Sequence, residues 1–244
     1  MKSLPLLAFL VFALLHLLGV AVEHNILVLI TKPLLMPLLA AWLLSDTNHQ
    51  NIYPLLRKAV LGALVFSTLG DVLLMFSAGI FFLLGLASFL LAHLFYIGAF
   101  TSISSFKNGF LSKNPWGALP FLTFPILLLI FLWKGIPVDM KVPVAVYASV
   151  ISLMALSVVN LKGKIADLTF WTLLAGAVLF LISDSSLAMA KFGQPFAGSR
   201  LAIMVTYIGG QLLLVRGVII LLKTPINITH QNDLPQDYNL PFEV

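Results

Sequence analysis

Two aspartates stand inside long apolar runs of this 244-residue sequence: Asp71 in Gly70-Asp71-Val72-Leu73-Leu74 and Asp184 in Ser183-Asp184-Ser185-Ser186-Leu187. A charged side chain deep in a membrane helix costs at least about 2.5–3.5 kcal/mol, so each acid needs a partner, a water-filled cavity or a task. Paired carboxyls are the equipment of general acid and base catalysis. One delivers a proton while the other, ionised, activates water, as in glycoside hydrolysis. The plainer reading is that each acid only fixes helix packing, Asp71 through Lys32 and Asp184 through Lys191 or Arg200. Two acids at one depth beside several polar groups favour chemistry over packing.

Further candidates surround them. Lys32, Lys191 and Arg200 fall near the ends of apolar runs on the acids' side, level with a lipid headgroup and placed to hold its phosphate. His93 and Tyr96, three apart, share a helical face, as do Tyr207 and Gln211, four apart. His93 reads equally as an interhelical hydrogen-bonding group, and the tyrosines as packing anchors whose following glycines, Gly98 and Gly209, let helices approach. The chain has no cysteine, and His16, His24 and His49 are scattered, so no metal site is expected. G-x-S-x-G, P-loop and GxGxxG patterns are absent, which argues against serine-hydrolase and nucleotide-driven chemistry and leaves no cofactor implied.

These residues must be positioned by membrane helices. Hydrophobic residues make up 60% of the chain and charged residues 9%, against about 25% charged in soluble domains. A mean hydropathy of +1.06 is more than a soluble core of this size can hide. Apolar stretches predict eight spans, at Leu4–Val22, Ile26–Leu44, Leu56–Phe76, Ile80–Ile103, Trp116–Trp133, Val142–Asn160, Leu168–Ala190 and Arg200–Leu222. Strand alternation is missing, so the fold class is all-α and polytopic. Residues 1–223 form one transmembrane domain, and 224–244, polar and rich in Pro and Asn, read as a disordered tail. The first run is long enough to span and lacks a clear cleavage site, so it reads as a retained helix.

The pI of about 9.5 does not point to nucleic acid, because the basic residues lie at helix ends and short loops with no basic run. Lys2, Arg57, Lys58, Lys107, Lys113, Lys162, Lys164, Arg216 and Lys223 fall on one side; Lys32, Lys134, Lys141, Lys191 and Arg200 fall on the other. Nine against five places both termini in the cytoplasm, in a bacterial cytoplasmic membrane. With helix ends at Phe76 and Ala190, both acids sit roughly 8–9 Å inside the far boundary.

The halves also echo each other. Small-Asp-x-x-Leu recurs at Asp71 and Asp184, and Tyr-Ile-Gly recurs at Tyr96 and Tyr207, 25 and 23 residues later. Lys32-Pro33 and Lys141-Val142-Pro143 open the second and sixth runs. A parallel four-plus-four repeat fits this pattern, although short apolar matches also arise by chance. Such a repeat suits a small transporter or lipid flippase using Asp71 and Asp184 as proton or cation sites. Transporters usually break their helices at midplane, whereas Gly and Pro here cluster toward the ends of the runs.

Taken in order, these residues carry a resemblance. Lys32-Pro33-Leu34-Leu35-Met36-Pro37, Gly70-Asp71 with its leucines, Phe89 with His93-x-x-Tyr96, Ser183-Asp184 with Ala188 and Phe192, and Tyr207-x-x-x-Gln211 resemble the YhhN-like lysoplasmalogenases. The resemblance covers essentially the whole chain. It implies a polytopic enzyme that hydrolyses the vinyl-ether bond of a lysophospholipid, lysoplasmalogen, giving a fatty aldehyde and glycerophosphoethanolamine or glycerophosphocholine. It further implies Asp71 and Asp184 as the catalytic pair, with membrane lipid around the protein. Lys32, His93, Tyr96, Lys191, Arg200, Tyr207 and Gln211 are then the candidate substrate-binding groups.

Overall fold

The computed structural model describes residues 4–47, 53–76 and 79–223, and among these every regular element is helical. The helices are α1 (Leu4–Ala21), α2 (Asn25–Asp46), α3 (Pro54–Leu73), α4 (Gly79–Thr101), the single turn α5 (Phe110–Lys113), α6 (Leu119–Leu132) after a 3-10 turn at Pro115–Ala118, α7 (Val138–Val159), α8 (Asp167–Phe192) and α9 (Ser199–Lys223). Segment 224–244 lies outside the described residues. Seven of the eight expected runs form helices long and apolar enough to cross a membrane, counting Pro115–Leu132 as one. The remaining run, α3, is helical over 20 residues but carries Arg57, Lys58 and Asp71. The chain is an all-helical, polytopic membrane protein.

Two expectations are corrected. Pro33 does not open a helix: Lys32, Pro33 and Pro37 lie within α2, which begins at Asn25, while Pro125 lies inside α6 and Pro143 inside α7. Each ring removes one backbone donor, and packed membrane helices tolerate that loss. Proline placement therefore gives no argument against a transporter. The acids also differ in their distance from helix ends. Asp71 is two residues before the end of α3 and Asp184 eight before the end of α8, about 3 Å against about 12 Å of rise.

Helices α8 and α9 pack most extensively, followed by α3 with α4 and α1 with α2. The α8–α9 contact depends on glycines, but not those after the tyrosines. Gly98 faces open space, and a Cβ on Gly209 would meet only the Leu179 side chain at 3.3 Å. A Cβ on Gly176 would lie 2.8 Å from the Leu214 backbone nitrogen and 3.0 Å from the Gly210 carbonyl oxygen, and one on Gly210 would lie 3.0 Å from the Phe180 nitrogen. These neighbours are backbone, which cannot turn aside as a side chain can. Gly176→Ala is expected to destabilise the protein by about 1–3 kcal/mol, lowering Tm in a detergent melt. Gly98→Ala, with no atom in the way, should leave Tm unchanged or slightly raised.

Candidate active site

The end of α3 places Asp71 against α2 and α9. Its Oδ2 accepts a hydrogen bond from Tyr207 Oη at 2.7 Å, and its Oδ1 lies 3.5 Å from Lys32 Nζ. Gly70, just before it, has no room for a side chain, since the Phe89 ring lies 2.6 Å from where a Cβ would stand. One turn deeper, Gln211 Nε2 donates to Ser67 Oγ at 3.0 Å, while Tyr96 Oη donates to Gln211 Oε1 at 2.6 Å. Ser67 and Asp71 are four apart on α3, as Gln211 and Tyr207 are on α9, so the two antiparallel helices form a two-rung polar ladder.

Asp184, on α8, is held differently. Its Oδ2 accepts a short hydrogen bond from Tyr147 Oη of α7 and lies 3.3 Å from His93 Nε2 of α4, which is itself 3.1 Å from that hydroxyl. Neither Lys191 nor Arg200 supplies its partner, unlike the pairing weighed from the sequence. Lys191 instead places its ammonium 4.7 Å from the centre of the Phe82 ring. Phe180 sits edge-on to both His93 and Tyr207, with ring centres 4.7 and 5.5 Å away, and so fills the space beneath the two acids with hydrocarbon.

Both acids open on one cavity of about 520 Å³, which Lys32, Lys191, Arg200, Tyr207, Ser183 and His16 also line. Its remaining walls include Phe82, Phe89, Leu187 and Met204. Of the sequence-predicted residues, Lys32, Asp71, Asp184, Lys191, Arg200 and Tyr207 meet at the cavity. His93, Tyr96 and Gln211 are fully buried behind its lining. Two polar groups at the cavity or its acids escaped sequence reasoning. Tyr147 is the sole tyrosine of its apolar run, and His16 the sole polar side chain of α1. For His16, a polar group alone in a membrane span was the signal; Tyr147, with several serines in the same run, carried no comparable one.

Two carboxyls with separate donors, beside three cations and apolar walls, are suited to proton transfer on an amphiphile with an anionic head. A helical membrane protein with one acid-lined, cation-bearing cavity is the class these features define. The profile of the YhhN family matches residues 27–218, and the chain belongs to that family. It is 33% identical over 165 residues to lysoplasmalogenase TMEM86B of Homo sapiens, across 68% of this chain and 64% of that one. Identity to the Mus musculus TMEM86B is 35% over 154 residues, 63% of this chain and 60% of the relative. To the lysoplasmalogenase of Mycobacterium tuberculosis it is 29% over 181 residues, 72% and 66% of the two chains. The chain thus spans under two thirds of the length of the TMEM86B relatives. No solved structure matches it.

Proposed function

We propose that the protein hydrolyses the vinyl-ether bond of lysoplasmalogen, with Asp71 and Asp184 as the acid–base pair. The observation that carries this reading is the shared cavity: both carboxyls line it together with Lys32, Lys191 and Arg200. The names of the relatives supply the substrate class. One carboxyl protonates the alkene carbon distal to the ether oxygen, leaving an oxocarbenium ion. The other, as carboxylate, takes a proton from the water that adds to the carbon bearing oxygen. In collapse of the hemiacetal, the first carboxylate removes the hydroxyl proton and the second carboxyl protonates the departing glycerol oxygen. Aldehyde and alcohol leave, one water is consumed, and both acids return to their starting states.

Each acid takes one partner from the preceding helix and one from a helix of the other half: Lys32 of α2 and Tyr207 of α9 for Asp71, Tyr147 of α7 and His93 of α4 for Asp184. This reciprocity supports a four-plus-four relation of α1–α4 to the later long helices, with α3 as the eighth span. The equivalence is incomplete, since Tyr207 meets an acid while Tyr96, its counterpart, meets Gln211.

The deciding experiment incubates purified protein with lyso-ether and lyso-ester lipids and measures aldehyde against free fatty acid. Aldehyde from the vinyl ether alone is expected. Neither product would return the transporter reading to first place. Both termini are proposed to be cytoplasmic, so reporter fusions after Asn108 and Val244 should report cytoplasm and one after Asp139 the opposite side. The reversed pattern would overturn the orientation.

A further inference from the structure

His16 is fully buried on α1 and lines the cavity that holds Asp71 and Asp184. Its Nδ1 lies 2.9 Å from Thr31 Oγ1 on α2. Thr31 has one hydroxyl proton, and the Leu27 carbonyl oxygen stands 2.6 Å from that hydroxyl. Two oxygens that close need a proton between them, so the threonine proton is committed there. The proton in the His16–Thr31 bond therefore sits on Nδ1. Neutral His16 is then the Nδ1–H tautomer, with a bare lone pair on Nε2. That nitrogen is buried and has no hydrogen-bond partner among the described residues.

A buried acceptor without a donor is costly, and the cavity is where a donor can arrive. On the lysolipid reading above, the acids mark the position of the vinyl ether, and Lys191 and Arg200 mark that of the phosphate. The glycerol backbone lies between them. Its one free group, the hydroxyl of the middle carbon, is a hydrogen-bond donor. We infer that His16 Nε2 accepts this free glycerol hydroxyl and makes the site select a lysolipid over one whose middle position is blocked. The inference rests on the proposed function. A lipid acylated at that carbon leaves the imidazole lone pair empty and brings a second chain into the same space.

The test uses the full chain in detergent, with two alkenyl-ether glycerophospholipids as substrates, one bearing the free hydroxyl and one its deoxy counterpart. Wild-type kcat/KM should fall about tenfold from the first to the second, the scale of one lost hydrogen bond to a buried group. His16→Asn keeps an N–H near the Nδ1 position, toward Thr31, and removes the Nε2 acceptor. It should lose about tenfold on the hydroxyl substrate and nothing on the deoxy one, so that discrimination disappears. His16→Gln, whose carbonyl oxygen reaches near the Nε2 position, should restore part of it, and tests the same point if the Asn variant does not fold. Equal wild-type rates on both lipids would overturn the inference. So would a proportional loss on both in His16→Asn, which indicates packing or a water-holding role. Aldehyde from neither lipid with wild-type protein would overturn the lysolipid reading itself, and this inference with it.

Discussion

Asp71→Asn and Asp184→Asn are each expected to abolish nearly all aldehyde release while leaving the protein folded in detergent. Asparagine is nearly isosteric, so Tyr207 still finds an oxygen to donate to at position 71, as does Tyr147 at position 184. What disappears is the ability to give or take a proton. General acid–base participation is typically worth about 10²–10⁴-fold, and each single variant should lose an amount in that range. Both carboxyls line one cavity, and the proposed mechanism uses them in one proton cycle, so the double variant should be little worse than either single one. The wild-type pH–rate profile should be bell-shaped, with both limbs belonging to the pair rather than to one residue. Near-wild-type turnover in either folded Asn variant would sink the mechanism.

The second large effect is expected at Lys32, where the structure favours one of the two readings the sequence offered, the pairing with Asp71. A lysine near a membrane boundary reads as a phosphate anchor, whose loss raises KM. Lys32, however, lies 3.5 Å from Asp71 Oδ1, with the lysine side chain 14% exposed and that of the aspartate 3%. Removing one member of such a buried pair strands the other charge. Lys32→Met should therefore lower kcat by about 10²-fold or more, and Lys32→Arg should retain much of it. Arg200 and Lys191 line the same cavity and are exposed, and they are the residues proposed as the phosphate anchor. Arg200→Met should raise KM with kcat nearly unchanged, the signature of lost uniform binding. A Lys32→Met enzyme with normal kcat and raised KM would restore the anchor reading for Lys32.

The legible part of this protein was the part written locally. Long apolar runs predict helices because hydrocarbon leaves the backbone no other way to satisfy its hydrogen bonds, and seven of the eight runs form helices long and apolar enough to cross a membrane. Asp71 and Asp184 announce themselves because an acid in such a run is costly. Which groups meet was legible there only for Lys32 and Asp71. Asp71 chooses Lys32 and Tyr207, and Asp184 chooses Tyr147 and His93 rather than a nearby lysine or arginine. Those choices depend on how each helix is rotated about its axis and how far it is shifted along it. Hydropathy carries neither quantity, because lipid-facing and protein-facing positions are equally apolar in a membrane chain. The same blindness hid the close approach at Gly176 and Gly210, and the place of His16 on the cavity wall. The sequence by itself determined the helices and the two acids. The rotation and offset of helices packed around one cavity, set by backbone-close contacts between α8 and α9 and polar pairs across α2, α3, α4, α7, α8 and α9, decided which residues surround them.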